Sequence, residues 1–515
     1  MNKLRKLTCL LLALMMAFAM TATASAADGT TYTITITNAQ TGHIYEAYQI
    51  FAGDLLVKPD GTKILSNIVW GKGVKEAGRT ALGDAAQKAE SLTTEADAKT
   101  FAAAVAQYLQ TPTNSDEGTT GRYTISGLAA GYYLVKDKDN TLNDADDFYT
   151  AYIMRVVGDV VAEPKGNKPT LTKEIKHNDD GNWGVVGDNQ IGDIVKFRTI
   201  TTVPDTTGYT TYTYKISDTM SAGLTSNVKS ADDVTIKVNN ENSKVLTADY
   251  YTVTATGNTF TIDVKILDAV KAGVLKNGDK LYANYSGVLN KDAKVYNENQ
   301  YNEAYLEYSN NPNDEGIGKT PEKKVYDWTF KMGINKVDGN SNPLTGAKFV
   351  LSKSGAIKVA DLSCGDDGVP TVFTDLIGLV KTGDNEYRIA LNDETGIVYD
   401  IDAGNPVIKG LDDNVDYYLY ETKSPEGYNL LSDPVSFKIA AEYNDDGSAL
   451  RTNYPTVTVG TETSTELSTN VINKSGAELP STGGMGTTLF YVLGGVLVLA
   501  AVVLLVTKKR MRSEN

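Results

Sequence analysis

The residue types that most often carry enzyme chemistry are scarce in this chain of 515 residues. It has two histidines, His43 and His177, and two cysteines, Cys9 and Cys364. It contains no zinc-binding motif, no nucleophile elbow and no pair of neighbouring histidines. We therefore predict that the protein is not an enzyme toward external substrates and that it uses no cofactor.

One short segment could instead be the substrate of another enzyme. Leu479, Pro480, Ser481, Thr482 and Gly483 follow one another near the C-terminus. The proline has no N–H and stiffens the backbone, whereas the glycine has no side chain and leaves the threonine carbonyl open to close approach. An acyl transfer that uses the Thr482 carbonyl would suit this pattern.

An apolar run from 489 to 506 comes directly after this segment and stops at Lys508, Lys509 and Arg510. A helix needs about 20 apolar residues to cross a bilayer, and Lys and Arg resist translocation. This run predicts a membrane-spanning helix whose basic end stays in the cytoplasm.

The N-terminus predicts secretion. Three basic residues precede an apolar run from 7 to 20, and small residues at Ala24, Ser25 and Ala26 provide a cleavage position. This order is typical of a secretory signal peptide, so the mature chain should begin near Ala27. Removal of the signal peptide leaves Cys364 as the only cysteine, which cannot form an internal disulfide and is interpreted as a structural thiol.

Composition limits the fold and the partners. About 455 mature residues exceed one hydrophobic core, and thirty tyrosines among many Thr and Val residues favour β-structure. The net charge of −15 argues against nucleic acid as a partner. Paired aspartates in turn-rich sequence, Asp146 with Asp147 and Asp412 with Asp413, are interpreted as solvated loops.

The order of patterns along the chain predicts several domains. Strict alternation in "TYTITITNA" predicts a strand, and Thr94 and Asp97 predict the capped start of a helix. Strand-like runs with frequent turns then continue to residue 474. The predicted boundaries are a signal peptide at 1–26, an N-terminal domain at 27–165, a middle β-sandwich at 166–322, a C-terminal β-sandwich at 323–476, and a sorting and membrane segment at 477–515.

Three sets of motifs resemble known families. The order of LPxTG, apolar span and basic tail resembles the cell-wall sorting signal of Gram-positive surface proteins, which sortases cleave between threonine and glycine. "GINKVDGNSNPLTGAKFVLSK" with "DYYLYETKSPEGYNLL" resembles a Cna B-type, prealbumin-like domain. "PTLTKEIK", "IGDIVKF", "YTYKISDTM" and "NEAYLEYSNNP" resemble the middle domain of sortase-assembled backbone pilins.

This resemblance implies a mainly β fold of tandem immunoglobulin-like or prealbumin-like sandwiches, with added helices in the N-terminal domain. It also implies isopeptide bonds that join a first-strand lysine to a last-strand asparagine with the help of a buried acid. Burial favours a neutral, nucleophilic lysine and a protonated carboxyl group that can donate to the amide carbonyl. Such bonds would crosslink domains that have no disulfide.

In the C-terminal domain, the resemblance assigns Lys336 as the lysine, Glu421 as the acid and Asn473 as the asparagine. In the middle domain, it assigns Asp218 as the acid, with Asp193 as a rival. The N-terminal domain opens on a strand without lysine, so no equivalent bond is predicted there.

In the middle domain, the alternation of apolar and polar residues along the strands selects the lysine and the asparagine of the predicted bond. Lys173 shares the inward face of its strand, whereas Lys176 lies on the opposite face. Asn302 is in phase with the apolar residues of the last strand. Other asparagines nearby remain open as alternatives: Asn297, Asn299 and Asn310.

Backbone pilins also use a lysine near the end of the first domain to receive the threonyl group of another subunit. Lys165 follows Pro164 in "VVAEPKGNKP" and is our prediction, although Glu163 stands where the family often has an aromatic residue. Lys168 is the alternative.

The sequence therefore predicts the shaft subunit of a covalent fimbria on the cell surface, anchored to peptidoglycan and supporting adhesion. The implied partners are a sortase, other copies of the chain, minor pilins and, as an open possibility, a host surface ligand. A monomeric wall-anchored adhesin is the alternative. No metal site is predicted, because the aspartates of "NDDGN" and "GDNQIGD" could hold calcium but do not complete a loop motif.

Overall fold

The computed structural model describes residues 29–37, 39, 41–116, 121–142, 147–163, 168–296, 298–312, 316–452, 454–475 and 486–511. Across these ranges the strands form six sheets, which fall into three consecutive groups of two. The predicted fold class, mainly β with tandem sandwiches and added helices in the N-terminal part, is confirmed. The predicted signal peptide, Lys165, Asn297 and the sorting motif lie outside the described residues.

The N-terminal group is a sandwich with helices on one outer face. Its elements are β1 Tyr32–Ile36, β2 Tyr45–Val57, β3 Lys63–Trp70, α1 Glu76–Leu82, α2 Ala85–Ser91, α3 Glu95–Ala106, β4 Thr113–Asn114, β5 Tyr123–Leu128, β6 Gly131–Asp137, β7 Ala151–Val156 and β8 Val160–Ala162. One sheet has the order β5-β1-β8 and the other the order β3-β2-β6-β7, with β4 paired to β2.

Local sequence explains the helical face of this group. Thr94 and Asp97 form a reciprocal capping box at the start of α3, as predicted, which satisfies free N–H groups of the first turn. Phe101 of α3 stacks on Phe51 of β2 with ring centroids 5.5 Å apart. The helices thereby cover the face of β2 that does not pack against β1.

The middle group is a larger sandwich. Its elements are β9 Leu171–Lys176, β10 Trp183–Gly184, β11 Val186–Asp188, β12 Ile194–Thr202, β13 Tyr214–Met220, β14 Leu224–Ser226, a 3-10 turn Ala231–Asp233, β15 Thr235–Val238, a 3-10 turn Ala248–Tyr250, β16 Tyr251–Thr256, β17 Thr259–Val264, α4 Ile266–Lys271, β18 Lys280–Leu289, β19 Gln300–Ser309, β20 Ile317–Lys319 and β21 Lys323–Trp328. We call the sheet β10-β9-β12-β18-β14, with β15 on β18, the front sheet, and β11-β21-β19-β13-β17-β16, with β20 on β19, the back sheet.

One strand lies on the far side of a predicted boundary. β21 follows residue 322, yet it pairs antiparallel with β19 and parallel with β11 of the back sheet. The chain therefore completes the middle group before it passes to the next sheets at Thr329.

The C-terminal group is the third sandwich. Its elements are β22 Phe330–Asp338, β23 Lys348–Ser352, a 3-10 turn Val359–Leu362, β24 Leu379–Gly383, β25 Glu386–Ile389, β26 Asp400–Asp402, β27 Val407–Leu411, β28 Asp416–Lys423, β29 Val435–Ala440, β30 Thr456–Val459, β31 Glu462–Ser464 and β32 Ser468–Asn473. Its sheets have the orders β24-β25-β27-β22-β32 and β26-β23-β28-β29-β30-β31.

The middle and C-terminal groups pack directly on each other. The Ile191 N–H donates to the Gly410 carbonyl over 3.0 Å, and the Trp328 indole donates to the Gly447 carbonyl over 3.0 Å. Gly410 has a φ of 88°, and an added Cβ would lie 2.5 Å from Ile191 Cδ1. Glycine is therefore needed at this close approach.

The last element is the helix α5, Gly486–Met511. Its segment Phe490–Arg510 is apolar and long enough to cross a membrane, and none of it is buried against the rest of the protein. At 1.5 Å per residue, 21 residues span about 30 Å, which matches the hydrocarbon core of a bilayer.

Candidate crosslinking sites

The middle sandwich brings the three predicted residues into its interior from three different strands. Lys173 lies on β9 of the front sheet, whereas Asp218 on β13 and Asn302 on β19 lie on the back sheet. β9 and β19 alternate buried and less buried residues, β13 does so except at the buried Ser217, and all three side chains fall on the inward face. They therefore meet between the two sheets.

These side chains form a compact cluster with a fourth residue, Tyr285 of β18. Lys173 Nζ lies 2.6 Å from Asp218 Oδ2 and 2.5 Å from the Tyr285 hydroxyl, which also donates to Asp218 Oδ2. Tyr285 was missed by the sequence reasoning. Its inward phase in "KLYANYSGVL" was a usable signal, but a buried tyrosine in a strand usually indicates core packing.

Asn302 is fully buried beside this cluster, and neither atom of its amide has a hydrogen-bond partner of good geometry. Asp218 Oδ1 is also without a partner. Buried polar groups of this kind cost about 1–3 kcal/mol each, because they have lost their hydrogen bonds to water. The amide nonetheless lies close enough to contribute to lowering the pKa of Asp218 and of Tyr285.

The alternative residues lie elsewhere. Lys176 is half-buried near the ring of Trp183, and Asp193 accepts a hydrogen bond from the Gln190 backbone. Two of the alternative asparagines donate to other backbone carbonyls, Asn299 to Ser448 and Asn310 to Asp147.

Burial shifts the titration of the middle cluster toward neutral groups. Desolvation lowers the pKa of Lys173, against the opposing attraction of Asp218. Desolvation likewise raises the pKa of Asp218, against the opposing charge and hydrogen bond of Lys173. Both directions favour an uncharged amine beside a protonated carboxyl group.

The C-terminal sandwich places its predicted residues on three strands as well. Lys336 lies on β22 and Asn473 on β32, which run parallel and adjacent, while Glu421 lies on β28 of the facing sheet. Lys336 is in register with Val471, so Asn473 lies two residues further along the same inward face. All three predicted side chains are buried.

The contacts here differ from those of the middle cluster. Lys336 Nζ donates to the Val471 carbonyl over 2.9 Å. Asn473 Nδ2 donates to Glu421 Oε2 over 2.9 Å, and that oxygen also accepts the Leu431 N–H. The remaining oxygens, Asn473 Oδ1 and Glu421 Oε1, have no hydrogen-bond partner.

The pKa shifts at this site have the same directions. Desolvation lowers the pKa of Lys336 and raises the pKa of Glu421, while the attraction between these two groups opposes both shifts. The site thus also favours a neutral lysine and a protonated acid.

The N-terminal group has a different buried cluster. His43 Nδ1 lies 2.7 Å from Asp137 Oδ1, and His43 Nε2 lies 3.2 Å from Asp147 Oδ1. The buried Lys136 contacts Asp139 at 2.8 Å and Glu46 at 3.4 Å. The opening strand β1 has no lysine, as its sequence shows.

The interpretation of the acidic pairs as solvated loops is wrong for three of the four residues. Asp147, Asp412 and Asp413 are all buried, and Asp146 lies outside the described residues. Asp412 and Asp413 do lie in a connection between strands, β27 and β28, as their sequence indicated. Packing of the middle sandwich against the C-terminal sandwich nevertheless covers them.

Two family comparisons match parts of the chain. Residues 330–449 match the SpaA family, described as a prealbumin-like fold domain. Residues 472–515 match the LPXTG cell wall anchor motif. The first match covers both motifs that predicted the prealbumin-like domain and ends at residue 449, within the predicted domain, and the second includes the predicted sorting signal.

Two relatives are similar over very different lengths. The chain is 36% identical over 96 residues to a fimbrial subunit type 1 of Actinomyces viscosus, covering 18% of this chain and 15% of that protein. It is 25% identical to the trypsin-resistant surface T6 protein of Streptococcus pyogenes serotype M6, covering 98% of this chain and 99% of that protein.

Solved structures of pilins are also similar. The T6 backbone pilin of Streptococcus pyogenes is 18% identical with a TM-score of 0.44, and the major pilin SpaD of Corynebacterium diphtheriae is 17% identical with a TM-score of 0.45. In both comparisons 88% of this chain and 100% of the other chain are covered.

The predicted resemblance to sortase-assembled pilins is confirmed, as is the location of the protein. The anchor motif and the apolar helix α5 indicate a protein of the cell surface, anchored to the cell wall, whose precursor spans the membrane transiently.

Proposed function

We propose that this wall-anchored protein is the shaft subunit of a covalent fimbria and forms two isopeptide bonds by itself, Lys173 to Asn302 and Lys336 to Asn473. The observation that carries the proposal is the burial of a lysine, an acid and an asparagine together in each of two successive sandwiches. An isolated buried lysine is costly, so its recurrence with the same partners favours a common chemistry.

The proposed step at the middle site is an amide exchange. Neutral Lys173 Nζ attacks the Asn302 side-chain carbonyl carbon while protonated Asp218 donates to the carbonyl oxygen. The tetrahedral intermediate then collapses, the C–N bond of the asparagine amide breaks, and the nitrogen leaves as ammonia with a proton from the attacking amine. Asp218 returns to its starting state, so one ammonia is lost and nothing is oxidised or reduced.

Tyr285 would act as a positioning residue in this step. Its hydroxyl contacts both Lys173 and Asp218, so it holds the amine next to the acid in a dry environment. Bond formation would also release the unpartnered Asn302 nitrogen as ammonia and bring the Asn302 oxygen into hydrogen-bond contact with Asp218. Neither atom would then be buried without a hydrogen-bond partner, so that energetic cost would be removed.

At the C-terminal site the reactive orientation requires one rotation. A protonated Glu421 must donate to Asn473 Oδ1, whereas Asn473 Nδ2 faces Glu421 in the structure. Turning the amide by half a revolution exchanges these two atoms. Lys336 is then the nucleophile, because it already reaches the backbone of β32 two residues before Asn473.

Polymerisation would use two segments that flank the crosslinked sandwiches, one containing Lys165 and the other containing Thr482. A sortase would cleave after Thr482 and transfer its carbonyl to Lys165 of another copy, or to peptidoglycan at the base of the fibre. Lys165 follows the N-terminal sheets, which end at β8. Minor pilins and a host surface ligand would be further partners in adhesion.

The test is an immunoblot of cell-wall extracts from the native bacterium. Wild-type chain should give a ladder of covalent polymers, and Lys165→Arg should reduce it to monomers that remain attached to the wall. Lys168→Arg is the matched control and should leave the ladder unchanged. Monomers alone in the wild type would contradict the shaft and favour the monomeric adhesin.

A further inference from the structure

A group of carboxylates lies where the middle and C-terminal sandwiches meet. Asp179 belongs to the turn between β9 and β10, Asp188 ends β11, and Asp413 follows β27. One oxygen from each of these three side chains lies within 4.8 Å of the other two. Asp179 and Asp188 lie in "NDDGN" and "GDNQIGD", the two incomplete calcium motifs of the sequence, whereas Asp413 lies more than 200 positions further along, so no local motif joined the three.

Two of the three carboxylates are deeply buried, with Asp188 exposed by 2% and Asp413 by 0%. Asp188 Oδ1 has no hydrogen-bond partner. Within the described part of the chain, no lysine, arginine or histidine forms an ion pair with any of the three residues. The three carboxyl groups therefore lie together without a protein cation beside them in the described residues.

The positions of the carboxylates are fixed by packing rather than by flexible loops. Asp188 is in register with Trp328 of β21, whose indole is bound to the C-terminal group at Gly447. Asp413 Oδ2 accepts hydrogen bonds from the Ala441 N–H and the Tyr443 hydroxyl, both over 3.1 Å. Its other carboxyl oxygen, Oδ1, accepts a hydrogen bond from Asn414 Nδ2 over 3.3 Å and has a second lone pair that can face the cluster.

We propose that Asp179, Asp188 and Asp413 bind a calcium ion that joins the middle and C-terminal sandwiches. Calcium takes 6–8 oxygen ligands at about 2.3–2.6 Å, so two oxygens on opposite sides of it lie up to about 5 Å apart. The spread of the three carboxylate oxygens fits this size. The cluster has no nitrogen or sulfur donor, which disfavours zinc.

The remaining ligands would be water molecules. Asp179 is exposed, so the cluster is open on its side and closed on the side of Asp188 and Asp413. Bound calcium would neutralise the buried charge and hold the two sandwiches in one orientation.

The test uses the processed chain, residues 27–482. All strands of the described residues lie within this range, and the removed helix segment Phe490–Arg510 is not buried against the sheets. The protein is stripped with EDTA and titrated with calcium chloride by calorimetry. We expect one calcium ion per chain and a higher midpoint of thermal unfolding with calcium than with EDTA.

Two variants and a matched control locate the site. Asp188→Asn should abolish calcium binding. Asp179→Asn changes an exposed residue, which keeps the fold intact, and should weaken binding at least about tenfold. Asp327→Asn is the control, because Asp327 is also a buried carboxyl group on the adjacent strand β21 but is outside the cluster. It should bind calcium as the wild type does.

The proposal is overturned if the folded wild type binds no calcium, because the carboxylates then share protons instead. It is equally overturned if Asp179→Asn binds as tightly as the wild type. The outcome is independent of the isopeptide bonds, since none of the three ligands belongs to either crosslinking cluster.

Discussion

The proposed chemistry of the middle sandwich depends on the position of one proton among three buried groups. Lys173, Asp218 and Tyr285 share hydrogen bonds in a space from which water is excluded. Desolvation shifts the pKa of the amine down and that of the acid up. A proton transferred from Lys173 to Asp218 therefore creates the nucleophile and the general acid in one step.

Asp218→Asn tests this dependence on a single acid. The amide cannot supply the proton, so the variant should keep Lys173 and Asn302 unlinked and lose one ammonia fewer than the wild type. The variant should also have a free energy of unfolding lower by about 3–5 kcal/mol, because it lacks the crosslink and keeps an unlinked lysine buried without its acid. Intact-mass spectrometry and denaturant unfolding measure the two effects.

The matched control is Asp193→Asn, which removes the rival acid. Burial raises the pKa of Asp193 too, but this carboxyl group accepts a hydrogen bond from the Gln190 N–H and has none with Lys173. This variant should retain both crosslinks. Loss of the middle crosslink in Asp193→Asn, with retention in Asp218→Asn, would reverse the assignment.

Alternation along single strands was enough to predict which side chains face inward. Lys173 and Asn302 are buried as their phase indicated, whereas Lys176 on the other face is half-buried. Alternation could not predict Tyr285, because a tyrosine in the inward phase gives no sign of what its hydroxyl contacts across the sandwich. The crosslinks themselves stay predictions.

At the scale of elements, a bond from Lys336 to Asn473 would join β22 to β32, the first and last strands of the C-terminal sandwich. The closed loop would contain nearly the whole sandwich. In the chain-entropy account of crosslinks, a loop of about 100 residues or more stabilises the folded state by about 4–5 kcal/mol.

Glu421→Gln should therefore lower the stability of the C-terminal sandwich by about 4–5 kcal/mol through loss of its crosslink. Thermal unfolding followed by calorimetry should show one transition at lower temperature, while the others keep their midpoints. Glu426→Gln is the control, since Glu426 is exposed in the following turn. Equal midpoints for both variants would contradict the role of Glu421.

The N-terminal sheets should show a distinct dependence on pH. Burial opposes protonation of His43, but the hydrogen bonds and charges of Asp137 and Asp147 outweigh it and raise the His43 pKa above 6.5. Burial also raises the pKa of Asp137. A raised folded pKa adds stability below the unfolded value, and this stability is lost as pH rises through the folded value.

Protection factors of β2 and β6 should therefore fall as pH rises above 6.5, the ordinary pKa of histidine, and through the raised pKa of His43. Hydrogen exchange with mass spectrometry measures them after correction for the intrinsic exchange rate. His43→Gln should show a smaller dependence on pH over this range. A wild-type protein that is better protected at the higher pH would contradict the raised pKa of His43.

At the scale of the whole molecule, the proposed bonds define a path for tension along the fibre. A subunit would receive the load at Lys165 and pass it on at Thr482, so the middle and C-terminal sandwiches lie on the path. The N-terminal sheets precede Lys165 and lie outside it. This arrangement explains why the two loaded sandwiches would be crosslinked and the N-terminal one would not.

The order of sandwiches could be predicted from the sequence, but the contacts between them could not. β21 follows a Pro- and Gly-containing linker, yet it returns to the back sheet through a parallel pairing with β11 that has no local signal. Asp412 and Asp413 are buried by the neighbouring sandwich, and turn-rich sequence does not indicate such cover. Long-range packing therefore determined both differences.

The most direct test of the central claim is the intact mass of residues 27–482, produced in a host without a sortase. The account predicts a mass lower than the calculated chain by two molecules of ammonia, with crosslinked peptides that contain Lys173 with Asn302 and Lys336 with Asn473. The unmodified mass in the folded protein would contradict the claim that these buried clusters form isopeptide bonds.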